Sequence, residues 1–442
     1  MRKCIFPIIL IFFIIFGTFY SIPASAYQIS GFEVNAKAAV LISLDTGEVI
    51  YSKNTTDKVY PASLMKLLSA VLIIEHSSDL DSEKITMTQA AMYDIMGTGA
   101  AVNNLKVGEQ LTARQALACL IISSGGDTAL AVAYHYGGSI QGYMDMVNAK
   151  AQEIGMKNSH FGNPVGLHDE ETYTTVEDLV LLAKYALKYP EITELAKKSR
   201  HTVEATEVSS ERILCTTNFL VDPNTAYYYA YATGLKTGFT DEAGRCLIST
   251  AKYNGYSYLS VVVGCKEVNG VRTEFTETAN LFRWAFNNFK YTTVVNCEAP
   301  VCEMPVRLSR DTDFVSLYAK EPLNSIFPKD ADLSTVKIVE ELDYESIDAP
   351  VKKGTVLGTA SVIYAEQEIG RVELVAGNDV EASGILVFGD KVMKFLKSPF
   401  FITIVCIIVG AILAFIIAVI YLNRNRTKKR KVRYIPYDKD KK

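Results

Sequence analysis

The sequence predicts an α/β (α+β) domain, then a small mostly-β domain, then a transmembrane helix near the C-terminus. Three observations carry this. β-rich runs stand on both sides of a helical block over residues 33–290, so sequence-distant strands share one sheet. From about Lys290 short β-rich runs split by Pro, Gly and Asp take over, giving a second domain over 291–385. The stretch Pro399–Leu422 carries no charge and is long enough to span a bilayer as a helix.

In order along the chain, Ala38–Tyr51 holds two β-rich runs around Asp45-Thr-Gly47 and predicts a hairpin. Apolar spacing of three and four predicts helices over Ser63–Glu75, Ala113–Ile122, Asp127–Tyr136, Ser139–Glu153 and Val176–Tyr189. Gly244–Ala251 and Tyr256–Val263 are strands, and the continuous Leu-Ser-Val-Val-Val of the second marks it as central. Phe275–Phe289 closes the domain as an amphipathic helix with Trp284 in its core face. In the β-rich region, strands are expected at Thr292–Val295, Val301–Val306, Lys337–Leu342, Thr355–Ala365 and Glu368–Val375, with a juxtamembrane stretch from about Asn378.

The two ends give the topology. Arg2 and Lys3, an apolar run Ile5–Phe19, Pro23 and Ala24-Ser25-Ala26 make residues 1–26 a signal peptide, an uncleaved anchor being the alternative. Either way the next domain lies outside the cytoplasm. After the span, the tail 423–442 is basic (Arg424, Arg426, Lys428, Lys429, Arg430, Lys431, Arg433), which keeps it cytoplasmic. A nucleic-acid patch is the other reading of such a run, weak beside a spanning helix. The net charge of −4 includes that basic tail, so the outer portion is more acidic still and nucleic acid is excluded as a partner.

Of eight cysteines, Cys4 and Cys406 fall in the apolar ends. Cys119, Cys246 and Cys265 sit in apolar patterns as buried small hydrophobes, whereas Cys297 and Cys302 are the nearest candidates for a disulfide. No C-x-x-C occurs and five histidines are scattered, so neither metal nor another cofactor is expected.

The chemistry concentrates in two motifs. Ser63 follows Pro61 at a helix start, where free N–H groups favour developing negative charge. Lys66 stands three residues on, on the same face. Its helix is otherwise apolar, and burial lowers a lysine until it can accept a proton. Ser63 is thus a candidate nucleophile and Lys66 its base. Far downstream, Lys236-Thr237-Gly238 supplies a cation and a hydroxyl on a strand; a plain β-turn is the bland reading. Ser334-Thr-Val-Lys337 repeats the S-x-x-K spacing in β-rich surroundings and is assigned no chemistry. A Ser–His–Asp triad built on His160 or His168 lacks a nucleophile motif, and Asp169, Glu170 and Glu171 form a solvated loop.

Segments Ala39–Tyr51, Pro61-Ala-Ser-Leu-Met-Lys66, Phe161-Gly-Asn-Pro-Val-Gly-Leu167 and Gly234-Leu-Lys-Thr-Gly-Phe-Thr-Asp-Glu-Ala-Gly244 resemble the D-alanyl-D-alanine carboxypeptidases, low-molecular-mass penicillin-binding proteins of the serine β-lactamase/transpeptidase fold. The resemblance covers about residues 33–290, and the β-rich region resembles the family's C-terminal domain. It implies an acyl-enzyme on Ser63, Lys66 as proton acceptor, and Ser124 as a proton-relay serine. It also implies that Lys236 and Thr237 attract the substrate carboxylate, and that the N–H groups of Ser63 and Phe239 form the oxyanion hole beside Gly238. Arg272 falls near the family's carboxylate-binding arginine, an ordinary surface arginine being its alternative. The family's Ser-x-Asn falls on Ser124-Gly125-Gly126, so Gly126 stands where the family has asparagine. Losing a hydrogen bond to an ionised group costs about 1.5–3 kcal/mol, roughly ten- to a hundred-fold in rate.

The function implied is removal of the terminal D-alanine from peptidoglycan stem pentapeptides, with β-lactams trapping Ser63 and the cytoplasmic membrane holding the C-terminal helix. Two alternatives stand beside it. One is a wall-binding scaffold weakened by Gly126. The other is a β-lactamase, which needs a Glu-x-x-Leu-Asn loop that is absent between Ser124 and Lys236.

Overall fold

A computed structural model of the chain describes residues 33–428, with side chains described as far as Arg424. The expected signal peptide, 1–26, and residues 429–442 of the expected tail lie outside the described residues. The chain divides into two compact units: residues up to 292 with 326–331, and residues 293–325 with 332 onward.

In the first unit, β1 (Ala38–Ser43) and β2 (Val49–Lys53) form the expected hairpin. The helical block holds α1 (Lys66–His76), α2 (Gln89–Ile95), α3 (Ala113–Ile121), α4 (Gly126–Gly137), α5 (Ile140–Ile154) and α6 (Val176–Ala186). A short pair, β3 (Lys84–Thr86) with β4 (Gln110–Thr112), is inserted in it. The helix expected over Val176–Tyr189 stops early. Pro190 excludes the helical conformation for Tyr189, which is extended at φ −100°, ψ 110°, and a new helix α7 (Pro190–Ala196) starts on the proline. The pair β5 (Arg200–Val203) and β6 (Arg212–Cys215) follows, then β7 (Ala232–Thr240), β8 (Gly244–Tyr253) and β9 (Tyr256–Cys265). A two-residue hairpin, β10 (Glu267–Val268) and β11 (Val271–Arg272), leads into α8 (Thr273–Asn288).

The main sheet is antiparallel, in the order β2-β1-β9-β8-β7. β9 is the middle strand, as its apolar run predicts. The first strand shows why both of its faces are apolar: Ala38, Val40 and Ile42 pack with α1 and the helical block, while Ala39 and Leu41 pack with Phe275, Phe282 and Phe286 of α8. α1 is enclosed on nearly all sides (Leu67, Leu68, Val71, Ile73), so the helix that follows Ser63 is a rigid central post. β7 lies at the sheet's edge, with one side of its backbone unpaired by any strand of that sheet.

The second unit is mostly β. After β12 (Phe289–Val295) come β13 (Pro300–Arg307), β14 (Phe314–Ala319), β15 (Leu323–Pro328), β16 (Lys337–Leu342), β17 (Ile347–Asp348), β18 (Val356–Tyr364) and β19 (Gln367–Ala376). Six of them make one sheet, β16-β18-β19-β14-β13-β17, over a core that includes Met304, Leu317, Val362 and Leu374. β14, β15 and the two-residue β17 are additional to the expected strands. The second S-x-x-K falls on an exposed turn into β16, and Ser334 and Lys337 face solvent. The juxtamembrane stretch holds a helix, α9 (Gly384–Leu396), and α10 (Pro399–Lys428) follows it. Residues 399–424 of α10 have mean hydropathy 3.2, long and apolar enough to cross a membrane.

The seven described cysteines are free thiols, including Cys297 and Cys302. Cys119, Cys246 and Cys265 are buried, as expected, and burial raises each thiol well above its ordinary range.

Candidate active site

Ser63 does not open an α-helix directly. It sits in a 3-10 turn, Ala62–Met65, that feeds α1. Ala62 takes φ +46°, a left-handed conformation that costs energy for a residue with a Cβ. Lys66, the first residue of α1, donates from Nζ to Ser63 Oγ at 2.9 Å and to the Ser124 carbonyl at 3.1 Å. Only 2% of Lys66 is exposed. Burial brings its pKa down to about 7, partly opposed by the Asp127 carboxylate. Asp127 itself accepts from the backbone N–H groups of Asn103, Leu105 and Thr128, at 2.8–3.0 Å. It thereby ties the loop before residue 105 to the start of α4.

Ser124 lies between α3 and α4 with φ +61°, which turns its carbonyl onto Lys66. Gly126 begins α4, and the space above it is closed by apolar side chains. A Cβ there would stand 3.0 Å from Ile95 Cδ1, 3.0 Å from Val165 Cγ1 and 3.1 Å from Ala100 Cβ. An asparagine would need room for three more heavy atoms in the same place. Gly126→Asn is therefore expected to lower stability by about 1–3 kcal/mol, the range for overpacking. Thermal unfolding and the acylation rate check it; an unchanged midpoint with faster acylation would count against this reading.

β7 carries Lys236, Thr237, Gly238 and Phe239 past Ser63. A Cβ on Gly238 would sit 3.1 Å from Pro61 O and 3.2 Å from Ser63 N, so only glycine lets the strand approach this closely. Thr237 donates from Oγ1 to Thr217 Oγ1 at 2.6 Å. Lys236 is 1% exposed and donates to the Thr237 carbonyl at 3.0 Å. Burial, and then the nearby Lys66, hold its pKa well below the usual lysine range. The opposite wall is the 163–167 loop. Asn163 Oδ1 accepts from Gly166 N and Leu167 N, and Gly166 (φ +79°) rests on the Ala62 carbonyl, where a Cβ would be only 2.5 Å away.

These parts line one cleft of about 810 Å³, to which Ser63, Lys66, Ser124, Thr237, Gly238, Phe239 and Arg272 all contribute. Lys236 sits behind that surface rather than on it. Of the two histidines near the loop, His168 lines the cleft and His160 does not; it contacts the Glu171 carbonyl at 3.1 Å. Sequence reasoning missed Thr216 and Thr217 and the Thr98–Ala101 segment, and it quoted Asp241 and Glu242 within the Gly234–Gly244 segment without placing them in the site. All lie on loops, or at a strand's end, with no spacing to mark them.

The sequence profile of the family described as D-alanyl-D-alanine carboxypeptidase matches residues 24–267. The chain belongs to that family. This carboxypeptidase, a hydrolase, also matches the C-terminal domain of penicillin-binding protein 5 over residues 289–382. It is 29% identical over 360 residues to D-alanyl-D-alanine carboxypeptidase DacF of Bacillus subtilis, covering 81% of this chain and 89% of the relative. To DacC of Escherichia coli it is 28% identical over 377 residues, 83% of this chain and 89% of the relative. Its structure resembles penicillin-binding protein 5 of Haemophilus influenzae, with TM-score 0.64, 24% identity, and coverage of 80% of this chain and 99% of that one. The fold of the carboxypeptidase is thus that of the penicillin-binding proteins, an α/β catalytic domain with a mostly-β C-terminal domain.

Proposed function

We propose that this carboxypeptidase works through an acyl-enzyme on Ser63, and that β-lactams trap the same residue. The observation that carries the reading is the 2.9 Å contact between the buried Lys66 Nζ and Ser63 Oγ at the cleft. With a pKa of about 7, a large share of Lys66 is neutral at physiological pH. The neutral amine takes the Ser63 hydroxyl proton as Oγ bonds to the carbonyl carbon of the penultimate D-Ala. The N–H groups of Ser63 and Phe239 receive the oxyanion. The C–N bond then breaks, Ser124 relays the proton to the departing D-alanine, and water hydrolyses the ester. Thr237 and Arg272 hold the terminal carboxylate, whose charge in turn favours the protonated form of the buried Lys236 behind them, while the free edge of β7 pairs with the peptide backbone.

The substrate is then a peptidoglycan stem peptide ending in D-Ala-D-Ala. The signal peptide and α10 set the catalytic unit on the outer face of the cytoplasmic membrane, with the basic tail inside. The contacts of Lys66 favour the active enzyme over the weakened-scaffold alternative. Lys66 is held by Ser63 and Ser124 without the family's amide.

Two measurements on the full-length protein in detergent test the reading. Benzylpenicillin should add its mass to the peptide containing Ser63; an adduct elsewhere, or none on folded protein, sinks it. The second-order acylation rate should fall about tenfold for each pH unit below roughly 7, because protonated Lys66 has no lone pair to accept with. A flat profile from pH 5 to 9 would exclude Lys66 as the base.

A further inference from the structure

We propose that Glu274 is a positioning residue whose buried carboxylate orients the Arg272 guanidinium toward the substrate's terminal carboxylate. The proposal rests on the reading above, in which Arg272 receives that carboxylate. Arg272 ends β11 and caps α8, and its side chain is 24% exposed. Its guanidinium lies over two rings, 4.6 Å from the centroid of Phe219 and 4.5 Å from that of Phe275. Rings hold a guanidinium flat against them but leave it free to turn in its own plane. Glu274 removes that freedom. Its Oε1 accepts from Arg272 Nε at 2.9 Å and from Nη2 at 2.7 Å, so one edge of the fork is fixed.

Glu274 is built for this and little else. It is 1% exposed in the first turn of α8, where free N–H groups favour a carboxylate. Its second oxygen, Oε2, is buried with no hydrogen-bond partner among the described residues. The other nearby cation, Arg245, comes only to 3.9 Å and is drawn off by Glu267 at 2.5 Å. The backbone N–H of Arg272 donates to Tyr227 Oη at 2.9 Å, fixing the root of the side chain as well. Among the described residues the Nη1 end remains uncommitted, and Arg272 lines the cleft together with Thr237 and Phe239. A carboxylate is read best by a fork already set in place, because less ordering accompanies binding.

The test uses full-length protein in detergent and two peptides, diacyl-Lys-D-Ala-D-Ala and its C-terminal methyl ester. Glu274→Asp keeps the buried charge but withdraws the oxygen by one methylene, and should raise KM for the free acid about tenfold with kcat nearly unchanged. The methyl ester should lose nothing. Glu274→Gln keeps an acceptor oxygen and should stay within about threefold of wild type in KM. In an Arg272→Ala background the Asp substitution should add nothing further. Equal losses on acid and ester, or no change in Glu274→Asp, overturn the proposal by leaving Glu274 a structural residue only. A wild-type enzyme with no preference for the free acid would instead overturn the carboxylate reading of Arg272, and the proposal with it. The two failures are separable because the second needs no variant.

Discussion

Ser63→Ala should abolish D-alanine release from diacyl-Lys-D-Ala-D-Ala, by at least about 10⁴-fold, while the protein remains folded. The fold should survive because Ser63 is half-buried at the mouth of the cleft, and alanine fits a 3-10 turn whose packing residues are Ala62, Leu64 and Met65. Penicillin adduct formation should vanish with activity, since the same oxygen serves both. Residual release above a few per cent in a folded variant would mean that another nucleophile does the work, and the acyl-enzyme on Ser63 would be wrong.

Lys66→Ala should cost about 10²–10⁴-fold in acylation, the usual worth of a positioned general base. A cavity left by this side chain could produce a loss for structural reasons, so Lys66→Arg is the sharper variant. Arginine keeps a donor and a positive charge but cannot deprotonate in the accessible pH range. Its acylation rate should be low and flat with pH, whereas wild type rises through about 7. An arginine variant that retained the wild-type pH limb would show that the limb belongs to another group.

The sequence made the first half of the site legible for a simple reason. Ser63 and Lys66 are three residues apart, and one turn of helix brings such a pair together whatever the rest of the chain does. Lys236-Thr237-Gly238 stood out as a motif, but its meeting with Ser63, and the part of Ser124, needed the family resemblance, because no local rule says that they converge. Arg272 was ambiguous: its rings come from Phe219 and Phe275, and only folding stacks them under one guanidinium. Thr217 was invisible, since a threonine in a loop carries no periodicity, yet it accepts the Thr237 hydroxyl. Among the elements, Pro190 misled the helix assignment by standing just past a good apolar pattern. At Gly126 the resemblance implied a missing amide, but not that Ile95, Ala100 and Val165 stand close around the position.

The placing of β1 has a consequence for how the molecule is made. Its register is shared with β9, Ala38 opposite Val263 through Ser43 opposite Tyr258. The two strands are separated by more than 200 residues of chain. At ordinary synthesis rates β9 emerges roughly 10–45 s after β1. Until then the sheet has no centre, and β7 has no finished sheet to hold it against Ser63. Such non-local pairing folds slowly, with loop closure coming before its reward. The proposed site around Ser63 is thus incomplete until the first strand of the catalytic unit pairs with β9.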